Sequence, residues 1–184
     1  MRIKFILFTT LLTALFHLAV FSQDTNNSQT KDTNLKIDDT EYQVIDNKEQ
    51  LETMIPSSFY FAGLSGGTQM RNSSAATIGK DRRIIAGLVD VSGYSTEISG
   101  VYEGFFITDS PIIFGDKTLE IGAYGIGFAK KGEVNIFDLS GKKILFTQTQ
   151  KDSEMRRPRP LMMVADKSGI RLYKGRDFVL ISPR

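Results

Sequence analysis

Residues 121–147 read IGAYGIGFAKKGEVNIFDLSGKKILFT, three apolar-alternating runs separated by two glycine turns. Alternation of period two predicts β-strands, and short glycine-bearing breaks between such runs predict hairpins. Two registers fit the first hairpin. A two-residue loop at Lys131 and Gly132 would oppose Phe128 to Asn135 and Ile126 to Phe137. A three-residue loop over residues 130–132 suits a type I turn closed by a left-handed glycine, a conformation glycine adopts without steric cost. That register sets Phe128 against Val134 and Ile126 against Ile136 on one face. Gly127 then faces Asn135, and Gly125 faces Phe137, on the other. The second register is preferred because it segregates one apolar face for a core.

The next turn follows the same logic. Asp138 suits the first position of a type I turn and Gly141 the fourth. The expected pairs are Ile136 with Ile144 and Val134 with Phe146, with Asp138 meeting Lys142. Asp-x-Ser-Gly recurs at residues 90–93, 138–141 and 166–169. Each copy offers a single carboxylate, which fits a turn and not a calcium loop.

Working outward, residues 39–184 read as one all-β domain. Short strand-like runs with frequent turn signals predict an antiparallel meander, either barrel-like or a two-sheet sandwich. One short helix is expected after residue 46. Asp46 and Glu49 have capping-box spacing, Leu51, Met54 and Ile55 form the apolar stripe, and Pro56 stops it. Residues 94–98 read as a strand, residues 65–67 as a flexible break, and residues 156–160 as an exposed connector outside the ladders.

The chain opens with a basic start, Arg2 and Lys4, and an apolar run over residues 5–21. Val20 and Ser22 are small enough for the −3 and −1 subsites, so residues 1–22 are expected to be a cleaved signal peptide. No cysteine is present to carry a lipid anchor. A periplasmic or secreted destination follows, with no membrane span after cleavage. Residues 23–38 are polar and read as a flexible linker. Losing Arg2 and Lys4 from 23 basic residues balances the 21 acidic ones. That removes the broad positive field of a nucleic-acid binder.

Cleavage also removes His17, the single histidine, and cysteine is absent throughout. The mature chain therefore lacks Ser-His-Asp and Cys-His nucleophiles and the usual imidazole or thiolate metal ligands. No cofactor motif is present. The glycines of GAYGIG lie in a strand with no helix after it, which argues against a phosphate cradle. A carboxylate-pair hydrolase remains the minority expectation.

Two stretches are candidates for binding. Gly125, Gly127 and Ala129 leave a shallow trough on one strand face; Tyr124, with Tyr60, Tyr94, Tyr102 and Tyr173, could line a pocket mouth, against the commoner reading of half-buried tyrosines with satisfied hydroxyls. Phe137 or another internal aromatic is expected to fill that trough. Arg156, Arg157 and Arg159 sit among prolines, where their guanidiniums suit carboxylates or phosphates. The competing reading is a solvated loop whose charge is offset by Asp152 and Glu154.

AGLVDVSGYSTEISGVYEGFFIT (86–108), LEIGAYGIGF (119–128) and RRPRPLMMVADKSGIRLYKGRDFV (156–179) together resemble secreted bacterial β-rich domains of unknown function. Those domains carry a GxYGxGF strand and an RP-PL segment. The resemblance runs from Phe59 to the C-terminus and implies a β-rich fold without a stated activity. The expected function is a non-enzymatic exported β-domain that binds a small apolar or amphipathic ligand inside or at one end of the fold. The alternative is an envelope- or protein-partner-binding module using the 156–159 loop.

Overall fold

The computed structural model describes residues 41–184. The expected signal peptide and linker lie outside the described residues. Within them, antiparallel strands form two sheets. The first sheet takes β1 (Tyr42–Val44), β3 (Leu64–Ile78), β4 (Arg82–Val89), β5 (Gly104–Thr108), β8 (Gly122–Ala129), β9 (Glu133–Phe137) and β10 (Lys143–Gln148), in that spatial order. β2 (Ser58–Phe61) pairs with the start of β3. The second sheet runs β12 (Arg159–Asp166), β13 (Gly169–Gly175), β14 (Asp177–Pro183), β6 (Ile112–Phe114) and β7 (Lys117–Leu119). β11 (Gln150–Lys151) joins β14 beyond the reach of β6. Neither sheet closes on itself. The fold is a sandwich.

The 121–147 stretch forms β8, β9 and β10. Gly125 pairs with Phe137, Ile126 with Ile136, Gly127 with Asn135 and Phe128 with Val134, the register preferred from side-chain chemistry. Gly132 closes the loop at φ +75°. The second hairpin departs from expectation by one residue. A bulge between Lys143 and Leu145 sets Leu145 against Ile136 and Thr147 against Val134. Ile144 and Phe146 are thereby turned out of the core. The extra residue in one strand flips every side chain beyond it to the other face.

The main core lies between the sheets. Ile126, Val134 and Ile136 from the first meet Ile170, Leu172 and Ile181 from the second, all without solvent exposure. The other face of the first sheet is also covered. Across β4, β5, β8 and β9 runs a row of Gly87, Phe105, Gly125 and Phe137, alternating small and large. Phe59 stacks on Phe105 at 5.0 Å, and Phe61 stacks on Tyr102 at 3.8 Å, above this row. An aromatic laid over a strand glycine covers backbone that no side chain would otherwise shield.

Three further expectations are corrected. Helix α1 (Lys48–Met54) is capped by Asn47, whose Oδ1 accepts from the Gln50 amide at 2.8 Å, and not by Asp46. Asn and Asp cap equally well, so residue type alone does not separate the two positions. Residues 65–67 lie within β3, because Gly66 lets the strand approach the Asp90 carbonyl. Residues 96–99 form a one-turn helix, α2 (Thr96–Ser99), because Ser95 caps it through the Ile98 amide at 3.4 Å.

Candidate functional site

The Asp-x-Ser-Gly segments are turns. In each, the aspartate Oδ1 accepts from the serine amide: Asp90 at 2.9 Å, Asp138 at 2.9 Å and Asp166 at 2.6 Å. At Asp138 the Ser140 hydroxyl also donates at 2.6 Å, which holds that carboxyl below its ordinary range. Each carboxylate holds its own turn, and Asp166 Oδ2 also pairs with Arg171 Nε at 2.6 Å.

The trough at Gly125 and Gly127 is filled. Phe61 lies where a Gly125 side chain would stand, and the Val101 carbonyl occupies the corresponding space at Gly127. Phe137 stands edge-on to Phe61 at 6.0 Å without taking that space itself. Tyr124 packs on the opposite face of β8 against the main core, its hydroxyl donating to the Glu120 carbonyl at 2.9 Å. Tyr124 is therefore not brought together with the two glycines.

Arg156 and Arg157 are exposed between β11 and β12. Arg159 opens β12, paired with Gly175, so the ladder begins inside the segment expected to lie outside it. A bulge before Met162 absorbs Pro160, which has no amide to contribute. The arginines belong to the second sheet, apart from the β8 glycines of the first.

The structure assembles a different site, one with no local motif in the sequence. β10 is the edge of the first sheet and β7 the edge of the second. Between them runs an open groove of about 400 Å³, walled by the β6–β7 turn, Phe146 and Gln148, with Leu180 of β14 also lining it. A second lobe of about 320 Å³ continues along Lys117, Thr118, Ile144 and Phe146. The bulge in β10 creates its apolar wall, leaving Ile144 46% and Phe146 52% exposed.

Hydrogen bonding fixes the direction of the β10 backbone. The Thr149 amide donates to the Gly132 carbonyl at 2.7 Å, in continuous register with the pairing of Thr147 to Val134. Antiparallel ladders alternate, so the amides and carbonyls of Phe146 and Gln148 face away from β9. They lie along the open edge. Across the groove, Asp116 Oδ1 accepts from the Thr147 hydroxyl at 2.6 Å, and Oδ2 pairs with Lys117 at 3.1 Å. The Thr147 hydroxyl first, and Lys117 second, hold the Asp116 carboxyl below its ordinary range. Gly115, at φ +67°, permits this approach: a side chain there would meet Thr147 Oγ1 at 2.5 Å.

No protein-family model, curated protein or solved structure matches this chain. No helix among the described residues is long and apolar enough to cross a membrane.

Proposed function

We propose that this chain is an exported, non-enzymatic binding module that takes an extended amphipathic segment of a partner protein as an added strand on β10. The observation that carries this reading is the β10 edge, unpaired among the described residues and bearing exposed Ile144 and Phe146 beside the groove. Main-chain groups of an added strand supply affinity, and pockets for alternate side chains supply selectivity. Folded proteins usually blunt such an edge with proline, charge or cover. β10 has no proline and one charge, Lys143, whose ammonium lies 5.5 Å from the centre of the Phe146 ring.

The test is a fluorescence-anisotropy titration with a capped peptide of alternating valine and threonine carrying a glutamate at each end. Saturable binding is expected, and Gln148→Pro should abolish it while the protein stays folded, because the Gln148 amide faces the groove. Absence of saturable binding, or full binding to Gln148→Pro, would contradict strand addition. A second reading is favoured by the groove's volume, which falls within the range of about 300–1,000 Å³ for small-ligand sites. In it, a small amphipathic molecule occupies the same groove through side chains alone. Dye binding that is lost in Phe146→Ser and retained in Gln148→Pro would select that reading.

A further inference from the structure

Residues 156–160 stand at one end of the second sheet, where β12 begins, every one of them exposed. The chain reaches this position by passing from β11 across the β13–β14 turn to β12. The Asp152 amide donates to the Arg176 carbonyl at 2.8 Å, and Arg176 Nε donates to the Met155 carbonyl at 3.3 Å. These bonds fasten the loop to the turn. They also bring Arg176, distant in sequence, beside Arg156, Arg157 and Arg159.

Among the described residues, none of these four guanidiniums has a carboxylate within 4.0 Å, although five other ion pairs form. Of the two acids expected to offset them, Glu154 makes no ion pair among the described residues, and Asp152 is engaged elsewhere. Asp152 Oδ2 accepts from the buried Tyr173 hydroxyl at 2.9 Å, and Oδ1 accepts from the Glu154 amide at 3.0 Å. Lys174, the nearby lysine on β13, is already paired with Glu103 at 2.7 Å. One loop, the start of β12 and the neighbouring turn thus gather four arginines that have no ion-pair partner among the described residues.

We propose that this end of the domain is an electrostatic docking surface for the phosphate groups of an anionic lipid bilayer. Guanidinium forks bind phosphate oxygens in pairs. Exposed cations spread over a loop, a strand start and a turn meet a planar array of anions more completely than they can enclose one small ion. Basic residues near such a surface act additively and are screened by salt.

The experiment is co-sedimentation of the full chain with phosphatidylcholine vesicles, with and without phosphatidylglycerol. Binding is expected only with phosphatidylglycerol, and it should fall as salt is raised. Each arginine-to-glutamine change should lower partitioning about fivefold. The quadruple variant R156Q/R157Q/R159Q/R176Q should lose the phosphatidylglycerol dependence while staying folded, its melting temperature lowered by no more than in R176Q alone, which loses the exposed bond to the Met155 carbonyl. The corresponding quadruple lysine variant should retain most binding, and Glu154→Gln should strengthen it. Undiminished binding by the quadruple glutamine variant would overturn the proposal. So would arginine-dependent binding of soluble polyphosphate without any binding to the vesicles.

Discussion

The two sides of the sandwich are finished differently. On one side β12 of the second sheet lies against β3 of the first, and the Met163 amide donates to the Ser74 hydroxyl at 3.3 Å in a buried contact. On the other, β10 and β7 stand apart across a groove joined by one side-chain bond, from Thr147 to Asp116. Both sides end in edge strands, and both have apolar residues available. What separates them is the direction those residues face. Met163 points into the core at 4% exposure, whereas the bulge in β10 turns Ile144 and Phe146 outward. Closure contributes stability on the first side. The second side keeps an unpaired backbone.

This contrast can be broken by mutation. The largest stability loss is expected at the closed side. Met163→Ala should cost about 2–5 kcal/mol by leaving a core cavity, measured by urea denaturation. Ser74→Ala should cost about 1–3 kcal/mol, because the buried Met163 amide loses its acceptor. On the open side, Phe146→Ser should change stability by no more than about 0.5 kcal/mol while removing peptide or dye binding. A Phe146→Ser variant as unstable as Met163→Ala would show that the open side is structural.

The smallest effect concerns the bond across the groove. Because the folded Asp116 pKa is depressed, its contribution is present above the ordinary carboxylate range and is lost as pH falls through the folded value. Thr147→Val removes the largest cause of that depression. The Asp116 titration followed by carbon-detected NMR should move up toward the ordinary value. No upward movement would mean that Lys117 alone sets it.

The first hairpin was legible in the sequence because loop length, a left-handed glycine and the Ile126–Ile136 pair all demanded one register. The second was not. Ile144, Leu145 and Phe146 are apolar in succession, so alternation cannot say which of them faces inward, and the bulge that decides has no residue signature. The groove inherits that ambiguity, since its apolar wall is formed by residues that the sequence assigned to the core. Asp116 and Thr147 carry no motif and meet only because two strand edges converge. A signal was present for the trough, whose glycines announced a close approach. Which chain segment would come close, Phe61 and the Val101 backbone, depended on tertiary packing. The arginine cluster was half legible: three members are consecutive or nearly so, while Arg176 joins through the 3.3 Å bond to the Met155 carbonyl.

Among the described residues β10 presents a vacant strand edge, and amide hydrogen exchange resolved along this strand distinguishes a vacant edge from a covered one. In the free protein, the amides of Phe146 and Gln148 should exchange rapidly while those of Leu145 and Thr147 are protected by pairing with β9. With the alternating valine–threonine peptide bound, Phe146 and Gln148 should become protected. Protection of both amides before the peptide is added, or its absence at saturation, would contradict the account.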